Sequence, residues 1–137
     1  MTWSREQLLE IVGQSPARVA AHDREGWLAL FARDGVVEDP VGAAPHPREA
    51  LGRFYDTFIA GNAIRFEVLE DFTAGDEVAR DVVIHTRLST GLEIEVPAFL
   101  LYEVVEEDGA PRLRRMRAVW DLRKRSVGAL ASGPRGL

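Results

Sequence analysis

Val78-Ala79-Arg80-Asp81-Val82-Val83-Ile84-His85-Thr86-Arg87-Leu88, then Ser89-Thr90-Gly91, then Leu92-Glu93-Ile94-Glu95-Val96-Pro97-Ala98-Phe99-Leu100-Leu101-Tyr102-Glu103-Val104-Val105, reads as two long strands and the turn between them. Val82, Ile84, Thr86 and Leu88 fall on one face of the first strand, and Val83, His85 and Arg87 on the other. The pattern extends both ways. Upstream, Ile64, Phe66 and Val68 alternate with Arg65 and Glu67, and Gly75-Asp76 supplies the turn. Downstream, Glu107-Asp108-Gly109 turns the chain into a last long strand over Leu113 to Leu122. About four long antiparallel strands are expected.

The first half has helical spacing. Ser4 and Gln7 fit a capping box ahead of Leu8, Leu9, Ile11 and Val12. Gly13 is a stop signal and Ser15-Pro16 a restart, so a break is expected there. Asp23 is an N-cap candidate for a helix carrying Trp27, Leu28, Leu30 and Phe31. Val36-Val37 predicts one further short strand. Asp39 to Pro47 contains three prolines and a glycine and reads as a loop. A helix from Pro47 then buries Leu51, Phe54, Tyr55, Phe58 and Ile59. Helices followed by a run of strands predict an α+β fold: a cone-shaped curved antiparallel sheet covered by N-terminal helices and enclosing an apolar pocket. Residues 1–125 are expected to form a single domain and residues 126–137 a flexible tail.

Composition narrows the chemistry. The chain has 137 residues, 46% of them hydrophobic and 28% charged, enough for one ordinary core. It has no cysteine, which removes disulfides, thiolate metal sites and thiol nucleophiles. A net charge of −5 argues against nucleic acid and anionic lipid as partners. No apolar run approaches a membrane span and the N-terminus lacks the pattern of a signal peptide, so a cytoplasmic location is expected. No pair among His22, His46 and His85 has metal-ligand spacing, so neither a metal nor another cofactor is expected. Arg112, Arg114, Arg115 and Arg117 alternate across a strand, and are expected to pair with the acidic run Glu103, Glu106, Glu107 and Asp108.

One set of residues is more specific. Phe31-Ala32, Val37-Glu38-Asp39-Pro40-Val41-Gly42, Arg53-Phe54-Tyr55, Pro97 and Arg115-Met116-Arg117-Ala118-Val119-Trp120 resemble the Δ5-3-ketosteroid isomerase family. That family shares the nuclear-transport-factor-two-like cone fold with the SnoaL-like polyketide cyclases. The resemblance covers roughly residues 16–122. It implies that Asp39 is the general base, moving a proton between carbons beside a carbonyl. A carboxylate at the mouth of an apolar pocket gains basicity from desolvation, so the assignment is chemically sound. The resemblance also implies a role for Tyr55 as a supporting phenol, although Tyr55 equally fits the core stripe of its helix.

The chain departs from the family at two positions. The family's oxyanion-hole tyrosine falls at Ser15 or Pro16, and its protonated aspartate at Phe99. Loss of one such donor costs ~10²–10³ in rate. An isomerase or cyclase acting on a substrate with an already delocalised enolate is therefore favoured over a standard ketosteroid isomerase. The alternative is a non-catalytic protein of the same fold that holds a small apolar ligand. Catalytic candidates are Asp39 and Tyr55. Expected pocket residues are Phe31, Phe54, Val82, Ile84, Glu95, Pro97, Phe99, Met116, Ala118 and Trp120. A homodimer through the outer sheet face, using Val83, Phe72 or Leu101, is expected.

Overall fold

The computed structural model describes residues 2–120 and 126–129. Helix α1 runs Arg5–Ala20 without interruption. Ser4 caps it: the Ser4 hydroxyl accepts from the Gln7 N–H at 3.1 Å and the Gln7 side chain returns the bond at 2.9 Å. The expected break at Gly13 to Pro16 does not occur. Leu8, Ile11, Val12, Ser15 and Val19 are all buried, and this spacing is one continuous helical stripe. Burial of that stripe outweighs the single backbone bond that Pro16 cannot donate. Helix α2, Arg24–Ala29, is capped by Asp23, whose carboxylate accepts from the Gly26 N–H at 2.9 Å.

Strand β1 then spans Phe31–Glu38, longer than the short strand expected. Its register shifts between Phe31 and Val36. Gly35 occupies that irregularity, where a Cβ would come within 2.9 Å of the Ala32 carbonyl oxygen, so a side chain is excluded. Strand β2 is His46–Pro47, and a single 3₁₀ turn leads into helix α3, Leu51–Phe58. Leu51, Phe54 and Tyr55 are buried on α3, whereas Phe58 is 54% exposed and not part of the core. Trp27 is the aromatic hub of the helical layer, with Phe31, Tyr55 and Phe54 at 4.8, 5.7 and 6.1 Å between ring centroids.

The remaining strands are β3 (Ala63–Ala74), β4 (Glu77–Arg87), β5 (Leu92–Glu107), β6 (Ala110–Trp120) and β7 (Ser126–Ala129). The sheet runs β2-β1-β6-β5-β4-β3, and β7 pairs with the start of β5. Part of the expected tail is thus a strand; residues 130–137 lie outside the described residues. The sheet is curved, unclosed and mostly antiparallel, with helices packed on its concave face, an α+β cone. The parallel pairing of β1 with β6 brings the chain after β1 alongside β6. No described helix is long and apolar enough to cross a membrane.

Register assigns the two faces. One inner row is Val37, Met116, Tyr102 and Val78. The next is Ala118, Leu100, Arg80 and Asp71, and the third Trp120, Ala98, Val82 and Val68. Helix α1 packs over this concave face against β3, β4 and β6. In the second row Arg80 is buried, and its guanidinium makes a two-bond ion pair with Asp71 at 2.7 and 3.1 Å.

Candidate functional site

Asp39 follows Val37 by two residues and shares its inward phase. The chain here still tracks β6, since the Val41 N–H donates to the Ala118 carbonyl at 2.8 Å. The carboxyl is therefore held at the level of Ala118, one row below Trp120. Asp39 Oδ1 is buried and has no hydrogen-bond partner. Burial raises the Asp39 pKa to about 6, and the indole N–H of Trp120, donating to the carboxylate, opposes that rise. No basic residue pairs with Asp39 among the described residues. The result is an acid–base group that titrates near neutrality.

Around it the inner face divides into a sealed and an open part. Phe31, Phe54, Val82, Met116 and Ala118, expected to line a pocket, are buried in the packed core. Towards the end of the cone that carries Trp120, the inner-face side chains become accessible. Ile84, Phe66 and Val96 are half-buried in one row, while Val68 and Trp120 are exposed at the two edges of the neighbouring row. These residues form an accessible apolar surface at that end of the sheet, one row from the level of Asp39.

Three expected pocket residues are elsewhere. Glu95, Pro97 and Phe99 do share a phase, but it is the outer one, opposite His85, Val83 and Asp81. Phe99 is 45% exposed. The pairing of Val82 with Ala98, and of Ala98 with Trp120, forces Ala98 inward and its neighbours outward. Glu95 instead holds His85 from one side at 3.1 Å, with Glu67 on the other at 2.9 Å. Tyr55 is buried as expected of a core residue, but its hydroxyl has no partner. Burial raises its pKa, and the charges of Asp23, Arg24 and Asp56, on the α2 and α3 side, act on it as well. No hydrogen bond joins the Tyr55 hydroxyl to Asp39 Oδ1 among the described residues.

A different phenol reaches the interior. Tyr102, on the inner row with Met116, is buried. Burial pushes its pKa up to about 12, against the influence of Arg80 and Ser15, and the negative charge of Asp39 adds to the rise. Ser15 in turn accepts from Trp27 Nε1 at 3.3 Å. Tyr102 belongs to the alternating series Ala98, Leu100, Tyr102 and Val104, which is legible as a strand face but not as the inner one. The arginines of β6 also pair differently from expectation. Arg117 meets Glu38 at 3.2 Å and Arg114 meets Asp34 at 3.4 Å, both on β1, because β1 is the parallel neighbour of β6. The acidic turn after β5 engages Arg33 instead.

A concavity of about 320 Å³ lies on the outer face, lined by Phe72, Ala79, Leu101, Glu103 and Arg115 among others, remote from the Asp39 carboxyl. No grouping of three or more metal-ligating side chains occurs among the described residues.

No curated protein matches the chain. Solved structures do. A Δ5-3-ketosteroid isomerase from Mycobacterium sp. is 30% identical, with a TM-score of 0.79 over 88% of this chain and 98% of that one. A Mycobacterium tuberculosis protein in complex with estradiol-17β-hemisuccinate is 36% identical, with a TM-score of 0.74 over 87% of this chain and 98% of that one. A computationally designed 17-OHP binder is 33% identical, with a TM-score of 0.79 over 89% and 99%. The model of the SnoaL-like domain matches residues 12–116, most of the cone from the middle of α1 into β6, and the chain belongs to the SnoaL-like family.

Proposed function

We propose that this chain binds a bulky apolar carbonyl compound, steroid-like or polyketide-like, in the open end of the cone, and that Asp39 moves a proton on it. The observation that carries this reading is the Asp39 carboxyl itself: buried, with Oδ1 free of any hydrogen-bond partner and its pKa raised to about 6, beside an accessible apolar surface. In the step envisaged, the carboxylate takes a proton from the carbon next to the carbonyl, and the C–H electron pair moves into the enolate. For an isomerisation the Asp39 acid returns that proton to a second carbon of the conjugated system. For a cyclisation the enolate carbon attacks a second carbonyl carbon of the same molecule, and the new alkoxide takes the proton. Two neighbours support the ligand class, one solved with an estradiol ester and one designed to bind 17-OHP.

A binding role without chemistry is favoured by one observation. Neither position where the resembling isomerases carry oxyanion donors holds the family's residue, since Ser15 or Pro16 stands at the place of the tyrosine and Phe99 at that of the acid. Turnover of a 5-ene-3-ketosteroid, followed by the absorbance of the conjugated product, separates the two roles. Measurable turnover by the wild type, lost in Asp39→Asn, is expected for the catalytic reading. Equal rates in both proteins refute it, and tight steroid binding with no turnover in either leaves the ligand carrier.

A homodimer through the outer sheet face belongs to the same reading, because Phe72, Phe99 and Val119 are exposed there. A monomer in sedimentation at micromolar concentration refutes it.

A further inference from the structure

We propose that Phe58, backed by His46 and Phe54, is the ring-stacking wall of the ligand site and selects ligands with a flat conjugated ring over saturated ones of the same size. This rests on the small-molecule reading above and adds a specificity residue to it. The phase of α3 orients Phe58. At about 100° per residue, Leu51, Phe54, Tyr55 and Ile59 share one side of the helix, and Phe58 falls inside the arc they span. Arg53, Asp56 and Thr57, all exposed, occupy the opposite side. Leu51, Phe54, Tyr55 and Ile59 are at most 7% exposed, whereas Phe58 is 54% exposed. An apolar residue on the polar side of a helix would call for no explanation. Phe58 is on the packing side and still uncovered, so its free surface gives onto the space between α3 and the sheet.

That space adjoins Asp39. His46 stands directly opposite Val37 in the pairing of β2 with β1, so the two side chains share the inner face. Asp39, two residues past Val37 in the same phase, is at the position diagonal to His46, and diagonal neighbours stand about 7–8 Å apart, within reach of an aromatic side chain. The His46 ring lies 4.9 Å from Phe54 and 6.4 Å from Phe58, centroid to centroid, and Phe54 and Phe58 are 5.1 Å apart. Phe54 is stacked on Trp27 at 6.1 Å with 18° between the planes. Phe58 is thus held from behind by rings anchored in the core, and its free surface is set before any ligand arrives. Ile84, Val96 and Val68 offer apolar contact that a flat and a puckered ring satisfy equally. Phe66 and Trp120 present rings from the sheet and Phe58 presents one from the helical layer, so a flat ring beside Asp39 is flanked from both sides. Contact between two aromatic rings adds about twofold to tenfold in affinity beyond the area buried. His46 and Phe54 act through Phe58 and are positioning residues.

The test uses the intact protein with two ketones: estrone, whose terminal ring is aromatic, and 5α-androstane-3,17-dione, in which that ring is saturated. Affinity is read by equilibrium dialysis, and matched circular dichroism and melting curves establish that the variants fold. The wild type is expected to bind both. Phe58→Leu keeps an apolar side chain without the ring. It is expected to bind estrone about fivefold more weakly, with affinity for the saturated ketone changed by less than about twofold. Phe58→Tyr keeps the ring and is expected to retain the wild-type preference. A nuclear Overhauser effect between the Phe58 ring and the aromatic protons of bound estrone is expected in the wild type, and its absence refutes the contact. If Phe58→Leu weakens both ketones alike, or neither, Phe58 does not select flat rings; the inference is then refuted and the small-molecule reading stands. If the wild type binds neither ketone, that reading falls and takes this inference with it.

Discussion

Replacing Asp39 by asparagine should make the protein more stable, and by an amount that depends on pH. The carboxyl has an ordinary value of 3.8 in the unfolded chain and about 6 in the folded one, raised by burial. The native state therefore holds this proton more tightly. Below about pH 4 the group is neutral in both states. As pH rises from about 4 to 6 the unfolded state ionises first, so stability falls through that window and levels off above it. The separation of the two values corresponds to about 3 kcal/mol in total, of which about 2.4 kcal/mol falls between pH 4 and pH 8. Asparagine carries no charge at any pH and escapes this loss. Urea unfolding of both proteins across that range gives the stability of the Asp39→Asn variant minus that of the wild type. This difference should grow by about 2 kcal/mol between the two ends, with slope confined to the region below about pH 6. The fixed cost of the substitution and the titration of distant groups cancel in this comparison. A difference independent of pH would mean an ordinary, solvated carboxylate, and the argument for Asp39 as a desolvated base would fail.

Other perturbations probe separate parts of the same structure. Trp120→Phe removes the indole donor that stabilises the ionised form, so carboxyl titration by NMR should place Asp39 above its wild-type value; an unchanged or lower value contradicts the contact. Asp71→Ala strands the buried Arg80 guanidinium and should cost ~3–5 kcal/mol in urea unfolding, while the joint replacement Asp71→Leu with Arg80→Met recovers most of it. Phe99→Ser should leave ligand affinity untouched, since Phe99 stands on the outer face; a large loss of binding would return it to the pocket.

Much of the architecture is encoded locally. The Ser4–Gln7 box, the Asp23 cap and the positive-φ glycines Gly75 and Gly109 terminate elements by rules that involve only a few neighbouring residues. Strand periodicity likewise places residues on a common face from sequence alone, and the stretch around Asp39 marks it as the leading acid–base candidate. Which face is the inner one is a different kind of fact. Period-two alternation has two phases, and a shift of one residue exchanges them. Glu95, Pro97 and Phe99 therefore form a true group, but on the side opposite to the one expected. Only the pairing of β5 with both β4 and β6 resolves that choice.

The same holds for features that depend on partners distant in the chain. Gly13 and Ser15-Pro16 carry the local signals of a helix end, yet a continuous buried stripe across α1 overrides them. Tyr102 gives no sign in the sequence of lying against Ser15, 87 positions earlier, nor Arg80 of being buried against Asp71. The sequence by itself determined the α+β class, the turns and the identity of the carboxylate. The first two follow from short-range sterics and hydrogen bonding, and the third from one contiguous stretch of chain. The tertiary structure decided which way each strand faces and how far Asp39 is desolvated. Those are properties of the packed interior, where the electrostatic environment of a side chain is set by what long-range contacts place around it.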